Sequence, residues 1–373
     1  MDKKKRDLYL ISVGNDVPTV ILKTNDVILG ENGGDKSLEG DKKTPSGIYY
    51  IKNFIPDKKL PAIYGYGAFP LNYPNIADRI QRKTGSGIWI HGRQEDNKEY
   101  TEGCVVLNND YIKDLYSRNI AGTPVVISDQ LDFLDEYNYN LEKAWWLKYL
   151  NEYLKSWENS DYAKFKDFFH PEFQTGNGTK YNKYLKKKER LMAIYPYRKI
   201  FADQIKIFKE DDDAVVDFNQ LYCADNIVNE TRKKIYLYKE SEVYKILAEE
   251  VKDFSEFMLL NKLMRDFINR WSGSWGEKNL QDYMNFYDEN FISGPMNYHA
   301  WLEDKRDKFY KTGNIEIAFD NVNVKILNSA QFSVTFRQKY SSKLYSDVGI
   351  KKLSIIGCPG DFKIVSESWR PLR

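Results

Sequence analysis

Histidine and cysteine are the scarcest reactive side chains in this 373-residue chain, with three of each. An odd cysteine count excludes a disulfide framework spanning the whole chain, and three scattered histidines offer no metal site and imply no cofactor. Of Cys104, Cys223 and Cys358, the last two could form a bridge, but two buried thiols are the expectation. Long apolar runs are missing too. None approaches the roughly 18 residues of a membrane-spanning helix, and residues 8–13, after a charged start, are too short and polar for a signal-peptide core and read as a first strand. Charge of one sign is also lacking: 56 Lys and Arg against 54 Asp and Glu leave +2, which gives no support to general nucleic-acid binding. Aromatic residues are plentiful instead, 28 Tyr, 20 Phe and 8 Trp, and they suit packed cores and pockets in a chain long enough for two or three domains.

The chemistry concentrates in residues 88–108. An apolar strand delivers His91 onto Gly92, a polar loop follows, and Thr101-Glu102-Gly103-Cys104 leads into a second apolar strand. Cysteine acts as a nucleophile through its thiolate, and a nearby imidazole can take the proton. Glycines flanking such a pair let backbone N–H groups reach a reacting carbonyl. The plain alternative is a small buried hydrophobe in a Val-Val-Leu run.

Around this stretch, Gly40-Asp41-Lys42-Lys43-Thr44-Pro45-Ser46-Gly47 comes first. Phe69 to Asn75, then Asp78-Arg79, His91-Gly92 and Thr101-Glu102-Gly103-Cys104 follow in one order. This order resembles the L,D-transpeptidase (YkuD-type) catalytic domain over about residues 7–128. The resemblance implies that Cys104 is the nucleophile and His91 its base, with Gly103 and Gly92 at the oxyanion loop and Tyr73, Arg93, Thr101 and Glu102 toward substrate. The chain departs from the family pattern in three places: Glu102 stands where many members have His, Val106 where Asn is frequent, and the loop between His91 and Thr101 is short.

Within this domain, residues 7–29 read as a β-meander with turns at Gly14-Asn15 and Asn25-Asp26. Residues 30–40 read as a surface loop and 64–75 as an aromatic loop. Asp78 and Arg79 read as an ion pair on a short helix, 110–115 as a helix, and 124–128 as the closing strand.

Beyond an acidic, aromatic boundary the sequence repeats itself. Trp157, Phe165, Phe168, Phe169 and Phe173 recur as Trp275, Tyr283, Phe286, Tyr287 and Phe291, an offset of 118 residues that also joins Gln220 to Gln338 and Glu249 to Glu367. Apolar residues at helical spacing open each unit and alternating strands follow, which makes an α+β unit. That order resembles the nuclear-transport-factor-2-like fold. The repeated aromatics read as core, with a pocket at the mouth of each cone left open. Neither unit shows a matched set of acid, base or nucleophile, and 186–190 reads as a solvated charge run. His170 and His299 read as non-catalytic.

The expected architecture is therefore multidomain: a mainly-β L,D-transpeptidase-like domain (7–129), a linker (130–143), and two α+β cone domains (144–252 and 256–373). Together the two resemblances imply a cell-shape-determining L,D-carboxypeptidase of the kind found in curved and helical bacteria. Such an enzyme trims the terminal D-alanine of peptidoglycan tetrapeptide stems through a Cys104 thioester. Transfer of the same acyl group to an amine, and an inactive wall-binding scaffold, are the alternatives. Peptidoglycan stem peptides are the implied partners, with other cell-wall or cell-shape proteins reached through the tail. The implied location is periplasmic, with a targeting segment removed ahead of the sequence given.

Overall fold

The computed structural model describes residues 1–13, 17–94, 99–225 and 227–372. Residues 1–128 build one core under three small sheets. The central sheet has five strands in the order Val27–Ile28, Val105–Leu107, Trp89–His91, Gly67–Pro70 and Ile55–Pro56. Only the pairing of Trp89–His91 with Val105–Leu107 is parallel in it. Val27, Phe69, Ile90, Val105 and Leu107 fill its buried face with Ile112 and Leu115 of helix Asn109–Ser117.

Four local expectations need correction. The meander breaks up: Leu8–Ser12 and Thr19–Thr24 form an isolated antiparallel hairpin, while Val27–Ile28 crosses to pair with Val105–Leu107. The reason is burial, since Ile11, Val20 and Ile21 stay exposed on the hairpin whereas Val27 is sealed into the core. The Gly14-Asn15 turn lies outside the described residues. The 64–75 stretch is not all loop, because Gly67–Pro70 is a fully buried strand between two others. Asp78 and Arg79 do not pair: Asp78 forms a capping box with Asn75 and faces Lys83, while Arg79 donates to the Pro74 carbonyl. The boundary segment is half helix, since Glu136–Glu158 starts inside it with Asp135 as its N-cap.

Each repeat wraps a curved sheet around a long helix. In the first, helices Glu136–Glu158, Tyr162–Asp167 and Tyr181–Ile194 cover strands ordered Phe169–Thr175, Val243–Asp253, Ile227–Glu240, Asp213–Ala224 and Arg198–Glu210. In the second, Met258–Gly276, Leu280–Asn285 and Tyr298–Lys311 stand in the same places over a matching sheet with one added strand, Met296–Asn297. The repeated aromatics form the two cores: Trp157, Phe165, Phe169 and Phe173 in one, Trp275, Tyr283, Tyr287 and Phe291 in the other.

The repeats are locked together. Glu230, buried, accepts from Leu259 N at 2.8 Å and Leu260 N at 3.2 Å, so its carboxylate caps the first helix of the second repeat, where the helix dipole favours negative charge. Cys223 and Cys358 are bonded across the same junction with Cα atoms 5.7 Å apart, which overturns the expectation of two thiols. Their separation of 135 residues hid the proximity.

The catalytic-type domain sits on the outer face of the first repeat's sheet. Ile48, Ile76 and Ala77 pack against Val215, Tyr236, Leu247 and Ala248. Beside them Tyr50 Oη donates to Asp217 at 3.2 Å, and Arg232 holds the same carboxylate with two bonds of 2.7 Å. The residues at the matching positions of the second repeat are Ser333, Ser354, Val365 and Ser366, so only one of the two faces is apolar enough to be covered.

Val215→Asp should therefore destabilise domain docking by roughly 3 kcal/mol, the cost of an unpaired charge in a dry contact. Faster chymotryptic cleavage at the exposed Phe133 and Leu134 is the expected readout. Ser333→Asp, at the matching position, should leave cleavage unchanged; equal effects of the two would contradict the assignment of the docking face.

Candidate active site

The parallel register sets the site. Ile90 lies opposite Val105 and His91 opposite Val106, so Cys104, just before its strand, falls beside Trp89. Alternation along a strand puts Trp89 and His91 on one face, next to Cys104. Cys104 is half-buried and unbridged. Its sulfur donates to Gly87 O at 3.4 Å and receives the Trp89 N–H. In this resting arrangement the thiol points at a carbonyl rather than at the imidazole.

His91 is buried, and its Nδ1 lies 2.6 Å from Gly92 O. A carbonyl only accepts, so Nδ1 carries the hydrogen and Nε2 keeps its lone pair. Tyr64 closes over the ring edge-on with centroids 4.8 Å apart, and also packs on Trp89 at 5.0 Å. Burial pushes the His91 imidazole below its ordinary value, against a smaller upward pull from the Gly92 carbonyl. It pushes the Cys104 thiol up, with the Trp89 N–H opposing and the Glu102 carboxylate adding to the rise. Thiol and imidazole both rest neutral near pH 7.

Other expected site residues play different parts. Gly103 N–H donates to Thr101 Oγ1 at 3.0 Å and Gly92 N–H to Gly67 O at 3.1 Å, so neither glycine amide is free to hold an oxyanion. Gly103 is needed for its shape: at φ +123°, an added Cβ would meet Lys43 O at 2.6 Å. Thr101 Oγ1 donates to Cys104 O at 2.8 Å, which ties the nucleophile loop rather than presenting a group to substrate. Tyr73 is 3 % exposed, packed edge-on against Tyr49 with its hydroxyl on Thr84 O, so it belongs to the core and lines no groove. Arg93 pairs with Asp26 at 2.6 Å, and Glu102 is exposed at the rim.

Tyr64 and Asn109 were not singled out in the sequence. Tyr64 was hidden in an aromatic stretch, and Asn109 stands between the apolar strand and the helix expected over 110–115.

Each core of the tail encloses a buried lysine–glutamate pair. Lys233 pairs with Glu249 at 3.0 Å in the first core, and Lys351 with Glu367 in the second. A second lysine stands over each repeated tryptophan: Lys188 at 3.5 Å from the Trp157 ring centre and Lys305 at 4.9 Å from that of Trp275. Burial, then the neighbouring Lys233, lowers Lys188 to about 7, and burial lowers Lys305 to about 8. Lys188 is thus the inward-turned member of a run whose other residues are exposed. His170 faces Glu240 on the surface and His299 lies against Tyr298, away from these clusters. Among the described residues no group of three or more His, Cys, Asp or Glu is arranged to hold a metal ion, and no helix is long and apolar enough to cross a membrane.

Because both groups rest neutral, alkylation of Cys104 by iodoacetamide should be slow at pH 7 and climb through the alkaline range. Glu102→Gln removes a charge that raises the thiol's pKa, so it should speed alkylation roughly two- to fivefold at a given pH, the scale of an exposed charge interaction. A slower reaction in the variant would contradict the electrostatic account.

Residues 1–127 match the family model of the L,D-transpeptidase catalytic domain, YkuD. Residues 146–250 and 263–368 each match the Cds6 C-terminal NTF2-like domain. No curated protein matches the chain. Among solved structures, Bd1075 of Bdellovibrio bacteriovorus is 31% identical with a TM-score of 0.62, over 69% of this chain and 92% of that one. The helical cell shape determining protein Pgp2 of Campylobacter jejuni is 26% identical with a TM-score of 0.54, over 66% of this chain and 89% of that one. The chain belongs to the YkuD-type L,D-transpeptidase family whose catalytic domain is joined to a Cds6-type nuclear-transport-factor-2-like tail, a tail present here in two copies.

Proposed function

We propose that the protein is a cysteine-dependent L,D-carboxypeptidase that removes the terminal D-alanine from peptidoglycan tetrapeptide stems. The observation that carries this reading is the 2.6 Å contact of His91 Nδ1 with the Gly92 carbonyl, which calls for the hydrogen on Nδ1 and leaves Nε2 as a base on the face that bears Cys104. The Cys104 proton passes to Nε2 as the sulfur attacks the carbonyl carbon at the L-centre of the diaminopimelate residue. With the Gly92 and Gly103 amides engaged, the Cys104 N–H is the donor assigned to the developing oxyanion. Collapse of the tetrahedral intermediate breaks the bond to D-alanine, whose nitrogen takes the proton from the imidazolium. A thioester on Cys104 remains. Water then gives its proton to Nε2 and attacks the thioester, and the tripeptide leaves as the thiol is restored.

Attack by an amine in the second step would give a cross-link instead. The fused tail favours water in this reading, as does the short loop after His91, of which residues 95–98 lie outside the described residues. The tail is assigned the placing of the enzyme on the wall polymer, alone or with other cell-shape proteins. The Cys223–Cys358 bond and a cell-wall substrate together support a periplasmic location.

Cys104→Ala should stay folded and release no D-alanine from purified tetrapeptide muropeptides, read by chromatography. His91→Gln should slow release at least about 100-fold, the usual contribution of general base catalysis. Undiminished release by the alanine variant would sink the mechanism, and cross-linked dimers as the main product would replace hydrolysis by transfer.

A further inference from the structure

The base at this site is held by a single carbonyl, so whatever fixes that carbonyl fixes the chemistry. Gly92 O belongs to the peptide unit that joins Gly92 to Arg93. In a trans peptide the C=O and N–H point in opposite directions, so pinning one sets the other. The Arg93 N–H of this unit donates to Asn109 Oδ1 at 3.2 Å, while its carbonyl accepts from His91 Nδ1 at 2.6 Å. Asn109 grips the loop at two more points: Oδ1 also accepts from Tyr66 N at 2.9 Å, and Nδ2 donates to Arg93 O at 2.8 Å.

Space for this grip is built in. A Cβ at Gly65 or at Gly92 would lie 2.2 Å from Asn109 Oδ1, so both positions must lack a side chain for the carboxamide to enter. The mount is rigid. Asn109 is the first residue of helix Asn109–Ser117, which Asn108 caps and which Ile112 and Leu115 anchor in the core.

We infer that Asn109 is the positioning residue of the His91 base: it clamps the Gly92–Arg93 peptide so that the Gly92 carbonyl holds the hydrogen on Nδ1 and leaves Nε2 free. Asn109 touches no reacting atom and acts through that one peptide. The inference rests on the reading of His91 as the base. The two stand apart in test, because the tautomer and the alkylation of Cys104 can be read without substrate.

The full-length protein, labelled with 15N, reports the tautomer through long-range 1H–15N spectra of its three histidines, with His91→Gln identifying the His91 signals. Wild type should show His91 as the Nδ1–H form. Asn109→Ala should lose that form, shift the pH profile of Cys104 alkylation, and lower kcat for D-alanine release about 10- to 100-fold with KM within about twofold, as expected for misplaced catalytic geometry. Asn109→Asp keeps the acceptor for Arg93 N–H and should recover most of the tautomer. An unchanged tautomer and alkylation profile in a folded Asn109→Ala protein would overturn the inference. If both variants fail to fold, wild type decides alone, since finding its His91 in the Nε2–H form would also overturn it. Absence of D-alanine release by wild type, with the tautomer changes as stated, would sink the functional reading and leave this inference standing.

Discussion

The parallel pairing of Trp89–His91 with Val105–Leu107 is the constraint on which the rest of the site depends. Each strand alone carries half of the chemistry, a histidine at the end of one and a cysteine before the start of the other. A shift of register by one residue would turn one of them to the opposite face of the sheet. The register is held by burial on both sides: Ile90, Val105 and Leu107 are all at or below 3 % exposure, and flanking strands cover both edges of the pair. The Thr101 hydroxyl and the Asn109 carboxamide then fix the two loops that leave this pair, one beside Cys104 and the other after His91. Fold stability and site geometry are here the same contacts.

The tail shows the same economy in duplicate. One packing solution, aromatics around a long helix with a lysine–glutamate pair inside, is used twice. Buried ion pairs repay little of their desolvation cost, so pure stability does not account for keeping one in each core. The hydroxyl group that bonds the carboxylate even differs in origin, Tyr184 in the first repeat and Tyr287 in the second. The copies diverge outside, where an apolar face on the first carries the catalytic domain and serines stand at three of the four matching places on the second. Duplication thus supplied two cores, and surface substitution decided which of them takes a partner domain.

Much of this was legible in the sequence because it is encoded in order and spacing. The run from Gly40 to Cys104 and the 118-residue offset both survive without any knowledge of three-dimensional contacts. What escaped depends on proximity between distant segments. The Cys223–Cys358 bond, the Glu230 cap and the Asn109 clamp each join residues that no periodicity relates. Tyr73 was misplaced for a different reason. An aromatic flanked by prolines looks like a loop residue, and only its packing against Tyr49 shows it to be core. The glycine amides near Cys104 had the correct address but were already engaged, which composition cannot reveal.

The central claim is that Cys104 forms a covalent acyl intermediate with His91 as its base. Intact-mass spectrometry after exposure to a carbapenem, a β-lactam that acylates a competent thiolate, tests it most directly. The account predicts a mass increase of one carbapenem, mapped to the peptide that contains Cys104, absent in Cys104→Ala and much slower to form in His91→Gln. No adduct on a folded protein, or an adduct on another residue, would contradict it.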